Sequence, residues 1–98
     1  MSTMESYKAE LAQFLEGFGA NVRRVRMAKR PHCSQERLSH ETGLHRTEIG
    51  KIEQGAVEPR LSTLYILAEG LSVTVDELLA GLSVPKERRP SPRSEPWS

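Results

Sequence analysis

The most constraining feature of this chain is a run of about twenty residues, Ser34 to Glu53, punctuated too closely for anything but short helices. Ser34 can cap a helix whose first turn is Gln35-Glu36-Arg37, with Cys33 and Leu38 placed as the apolar pair that brackets such a start. Gly43 stops it, because glycine accepts the positive φ that follows a helix end. Leu44 and Ile49 bracket a second start near Arg46, Glu48 suits its first turn, and Gly55 marks its end. Two short helices hinged at a glycine put Leu38, Leu44, Ile49 and Ile52 inward. The start of the second helix, with Arg46, Thr47 and Lys51, then faces outward.

The flanks extend the same pattern. Pro59 is expected to open a further helix carrying Leu61, Leu64, Tyr65, Leu67 and Ala68. Thr74-Val75-Asp76-Glu77 reads as a capping box, with Val73 and Leu78 as its apolar bracket. Upstream, Tyr7, Leu11, Phe14, Leu15, Phe18, Val22 and Val25 recur at helical spacing. Gly17 and Gly19 fall inside that stripe at about 1 kcal/mol each relative to alanine. The pattern permits one helix from about Glu5 to Lys29 or two broken near the glycines. No strand pattern appears, so the expected fold is all-α with five helices. Pro85, Pro90, Pro92 and Pro96, interleaved with Lys86, Arg88, Arg89 and Arg93, cannot nucleate a core. The expected organisation is therefore a helical extension over 1–17, a domain over 18–82 and a flexible Pro/Arg-rich tail over 83–98. Trp97 in that tail is a candidate anchor for a protein partner.

Composition narrows the function. At 98 residues the chain has room for one small core and no deep catalytic cleft. Fourteen Lys and Arg against thirteen Asp and Glu give a net charge of +1, so any anion-binding face depends on local clustering. The single cysteine, Cys33, excludes an internal disulfide and fits a reducing compartment. No apolar run reaches a membrane-spanning length of about 18 residues, and the first residues do not form a signal peptide. A cytoplasmic protein without membrane contact is expected. His32, Cys33, His40 and His45 are of ligand type, but their spacing matches no familiar zinc pattern, and Cys33 is better used beside Leu38. No phosphate loop or nucleophile–base pairing is legible, so neither an enzyme nor a metal or organic cofactor is expected.

Gln35 to Gly55, followed by Pro59, Leu64, Ala68, Leu71 and the Val73–Leu79 ending, resembles the lambda-repressor-like, Xre-type helix-turn-helix family over residues 18 to 82. The carrying motifs are Ser34-Gln35, Gly43 in the turn, Ile-Gly-Lys-Ile-Glu-Gln-Gly over 49–55 and Leu-Ala-Glu-Gly-Leu-Ser-Val over 67–73. The resemblance implies a DNA-binding transcription regulator, expected to be a repressor, that reads a palindromic operator in double-stranded DNA as a homodimer. It implies that Gln35 contacts phosphate and braces the recognition helix, that Arg46, Thr47 and Lys51 face the bases, and that Arg26 and Glu53 form a structural ion pair. Arginine and lysine can pair with guanine, threonine can touch the thymine methyl, and Glu48 can accept from cytosine N4. Arg24 on the first helix, with Arg23, Lys29 and Arg30, is a candidate backbone contact. Leu78, Leu79 and Leu82, with Val84, are the expected dimer surface, and Tyr7, Phe14 and Phe18 the second choice.

The sequence departs from the family pattern at several points. The segment before Gln35 is longer, with Pro31-His32-Cys33 in place of a tighter turn. His45 stands at a cap usually Ser or Thr, Ser39 stands for an alanine, Gly50 falls inside the recognition helix, and Arg60 replaces a capping residue. A second reading takes the same fold as a protein-interaction module, such as an antitoxin or adaptor.

Overall fold

The computed structural model describes residues 3–83, with side chains from residue 5 onward. Five helices follow one another: α1 (Thr3–Met27), α2 (Gln35–Thr42), α3 (Arg46–Glu53), α4 (Leu61–Leu71) and α5 (Val75–Leu78). No strand occurs among the described residues, and the fold is all-α. The expected tail beyond residue 83, including Val84 and Trp97, lies outside the described residues.

α1 is one continuous helix that passes through both glycines and across residues 17 and 18. Gly19 explains why the helix tolerates the cost. A Cβ there would stand 2.6 Å from the Glu53 carbonyl oxygen and would also collide with that of Ile52. The missing side chain lets α1 lie directly on the C-terminal end of α3. Phe18 and Val22 on the same face, both buried, meet Leu38, Ile49, Ile52, Leu67 and Leu71 in the single core.

The helix starts follow the capping chemistry. Ser34 Oγ accepts the Arg37 N–H at 3.0 Å, and Thr74 Oγ1 accepts that of Glu77 at 3.1 Å. Gly43 closes α2 at φ 82°. The turn into α3 is stitched by Ser39, whose hydroxyl donates to the Leu44 carbonyl, and by Thr42, whose hydroxyl accepts the Leu44 N–H. A serine in place of alanine at 39 thus has a structural use. α4 begins later than Pro59 suggested. Its first helical residue is Leu61, because Arg60 at the cap keeps an extended backbone (ψ 159°) and its side chain makes no capping bond.

One expected surface is corrected here. Leu78 is fully buried, since the α5 cap turns it inward among the core side chains, and it cannot be offered to a second copy. Phe18 is buried for a similar reason, on the α1 face that meets the core. Leu79 and Leu82 are half-buried and pack against that core. Among the described residues no helix is long and apolar enough to cross a membrane.

Candidate nucleic-acid interface

The inner side of α3 is held by one carboxylate. Glu53 Oε2 accepts from Arg26 Nε at 2.7 Å, and its Oε1 accepts from Arg26 Nη2 at 3.0 Å and from Gln35 Nε2 at 2.9 Å. The remaining arm of Arg26, Nη1, donates to the Cys33 carbonyl at 3.0 Å. The Arg26 and Glu53 side chains are 8% and 3% exposed. The hydrogen bond to Glu53 pushes the Arg26 pKa further up against the opposing effect of burial, so both groups are charged. Four charge-assisted bonds thus lock the end of α1, the start of α2 and the end of α3 into one arrangement. The expected Arg26–Glu53 pair is present, and Gln35 joins it.

The outer side of α3 is free. At about 100° per residue, Thr47 and Lys51 lie one turn apart on the face opposite Ile49 and Ile52, with Arg46 on the flank. All three are exposed, and among the described residues their side chains make no hydrogen bond or ion pair. Gln54, also exposed, continues the stripe and was missed by sequence reading, although its spacing of seven from Thr47 signals it. Gly50 lies between them, and a Cβ there would meet only the Gln35 amide, at 3.7 and 4.0 Å. The backbone at Gly50 is therefore approachable from outside. His45 starts the helix by accepting the Thr47 N–H at Nδ1, 3.0 Å away. An imidazole that accepts at Nδ1 carries its proton on Nε2 and replaces the usual hydroxyl.

The other candidates are placed differently. Glu48 is half-buried in the first turn, where a negative charge complements the helix dipole. Arg24 is exposed, and its Nη1 donates to Asn21 Oδ1 at 2.8 Å. Asn21 in turn donates to the Leu78 and Ala80 carbonyls, so Arg24 is anchored at the α1–α5 junction and not to α3. Lys29 donates to the Leu71 carbonyl and closes the end of α4, and Arg30 bonds the Met27 and Lys29 carbonyls. Gln35 is half-buried, with its amide nitrogen turned to Glu53, which gives it the bracing role directly. Burial pushes the Cys33 thiol up, away from the reactive thiolate. Among the described residues no cluster of three or more His, Cys, Asp or Glu could hold a metal ion.

With this geometry the chain was compared with known proteins. Residues 23–78 match the family model described as helix-turn-helix. The control protein C.SmaI of Serratia marcescens is 41% identical over 68 residues, covering 69% of this chain and 79% of its own. The control protein C.BamHI of Bacillus amyloliquefaciens is 39% identical over 62 residues, covering 63% of this chain and 75% of its own. Among solved structures, the restriction-modification controller protein C.AhdI from Aeromonas hydrophila matches with a TM-score of 0.62 and 36% identity. That match covers 65% of this chain and 94% of the other.

Proposed function

The chain belongs to the helix-turn-helix family of DNA-binding transcription regulators, and from that premise we propose that it is the controller of a restriction–modification system. It binds a palindromic operator as a homodimer, with residues 18–82 as the binding domain. The observation that carries this reading is the division of α3 into a locked inner edge and a free outer edge. A recognition helix must hold its side chains steady against base edges, and the Arg26–Glu53–Gln35 brace does that from behind.

In this reading Arg46, Thr47 and Lys51 enter the major groove, and Gln54 lies along the same stripe. The N–H groups at the start of α2 approach phosphate beside Gln35. Arg24 and Glu48 are secondary contacts. The backbone contacts provide most of the affinity, so binding weakens steeply with salt, while the α3 side chains choose the sequence. Occupancy of a promoter by such a dimer gives repression, and the site of action is the bacterial cytoplasm.

The test is selection from a random duplex library on the purified chain, followed by salt-titrated binding to the selected duplex. The expected result is a two-fold symmetric site preferred by about 10³-fold or more over random DNA. Failure to enrich any sequence at low salt overturns the reading in favour of a protein-interaction module. A promoter fusion carrying the selected site then reports the sign of regulation.

A further inference from the structure

α4 presents a face that a lone domain has no use for. Leu61 and Tyr65, one turn apart, are 71% and 62% exposed. Beside Tyr65 a shallow groove of about 560 Å³ runs between α4 and the start of α5, lined by Ala68, Val73 and Val75 with the acidic Glu69 and Asp76. An apolar stripe edged with carboxylates is poorly suited to the phosphate backbone of DNA.

The charges on this helix run against its own dipole. Arg60 sits at the N-terminal cap, where negative charge is favoured, without a capping bond and without an acidic residue in the first turn. Glu69 sits in the last turn, where positive charge is favoured, and no basic residue of α4 accompanies it. Lys29 from α1 is the one cation supplied there, at the Leu71 carbonyl. Among the described residues neither Arg60 nor Glu69 has an ion-pair partner.

A two-fold axis turns this mismatch into a match. If two α4 helices cross antiparallel at Tyr65, Arg60 lies about 7 Å along the helix to one side of the axis and Glu69 about 6 Å to the other. Each Arg60 then meets the partner's Glu69, each helix start gains a carboxylate, and each Leu61 approaches the partner's groove. An isologous interface requires a patch complementary to itself. We infer that the α4 stripe of Arg60, Leu61, Tyr65 and Glu69 is the surface on which a second copy of this chain docks, antiparallel, to form the homodimer. This rests on the homodimer reading above and moves its interface from α5 to α4. One helical stripe with its groove is small beside a standard interface of about 800 Å² per partner, so a reversible dimer is expected.

The test is a charge swap on the full chain, read by sedimentation velocity over a concentration series without DNA. Arg60→Glu alone and Glu69→Arg alone each create two like-charge contacts and raise the dimer dissociation constant by about tenfold or more. The double variant Arg60→Glu/Glu69→Arg restores it to within about threefold of the starting value. All three positions of the stripe that would be altered or flanked are solvent-facing, and far-UV circular dichroism confirms that each variant keeps its helices. Single variants that leave the dimer unchanged, or a double variant that fails to restore it, overturn the α4 surface while the homodimer reading stands. A native chain that stays monomeric at every concentration, alone and on the selected duplex, overturns both.

Discussion

On α3 the inner edge is tied down by hydrogen bonds to a buried carboxylate and the outer edge is polar and unengaged. On α4 the inner edge is held mainly by apolar packing of Leu67, Ala68 and Leu71, and the outer edge shows Leu61 and Tyr65 to solvent. Apolar packing is non-directional and tolerates small rotations about the helix axis. Charge-assisted hydrogen bonds at 2.7 to 3.0 Å do not, because they weaken steeply with misalignment. The difference follows what each face has to meet. Base edges demand side chains held in register, whereas a symmetric apolar contact can adjust as it forms.

The strongest way to break the comparison is Glu53→Ala. It leaves Arg26 buried with no counter-charge and Gln35 without its acceptor, and removing one member of a buried pair costs about 3–5 kcal/mol. Urea unfolding at fixed protein concentration measures this. Tyr65→Ser on α4, an exposed position away from any such network, is expected to change stability by no more than about 0.5 kcal/mol. A Glu53→Ala cost as small as that would mean that α3 is packed in the same way as α4 and that the brace is incidental.

Arg46→Ala comes next and acts on binding alone. Its side chain has no partner within the described structure, so unfolding should not change. Specific binding should weaken by about 1–3 kcal/mol, with relaxed preference at one position in each half-site. Titration against the selected duplex and its single-base variants measures both. If the loss is the same on every sequence and only the salt slope falls, Arg46 contacts phosphate and the reading edge of α3 reduces to Thr47, Lys51 and Gln54.

The helix starts sharpen the contrast further. His45 caps α3 through Nδ1, whereas Arg60 caps nothing on α4. His45→Ala should cost about 1 kcal/mol, and His45→Ser should recover most of it because a hydroxyl accepts the same N–H. Arg60→Ala, measured on dilute protein where the monomer dominates, should be close to neutral. Equal costs at the two positions would remove the distinction between a fixed and an unfixed helix start.

Local chemistry was legible in the sequence wherever it depends on neighbours along the chain. The caps at Ser34 and Thr74, the left-handed Gly43 and the bracket of Cys33 with Leu38 each rest on spacings of a few residues. The Arg26–Glu53 pair spans 27 residues and came from family resemblance, as no local rule contains it. What was misplaced depended on which side of a helix meets the core. Leu78 was taken as both the inward partner of Val73 and an outward dimer contact, and the first role excludes the second. Leu61 and Tyr65 read as core because α4 carries more apolar residues than one face can bury, and only packing shows which are left out. The continuity of α1 was equally hidden, since Gly19 is explained by two carbonyls of α3 far along the chain.

The smallest effect probes the brace from its edge, at Cys33. Its carbonyl accepts from Arg26, and its thiol is buried and pushed up chiefly by that burial. An acid whose pKa is raised on folding favours the protonated native state. When the pH passes the ordinary thiol value of about 8.5, the unfolded chain ionises first and is stabilised relative to the folded one. Stability should therefore be level with respect to this group below that pH, and decline above it until the native thiol also ionises. Comparing the chain with Cys33→Ala by urea unfolding across that range isolates the contribution, because the variant lacks the titrating group. Thiol-reagent labelling at neutral pH should likewise be slow in the folded chain and fast in urea. Rapid labelling of the folded protein would show that the segment between α1 and α2 opens readily. In that case the Arg26 anchor at the Cys33 carbonyl would be a weak part of the brace, and α3 would be held at Glu53 and Gln35 alone.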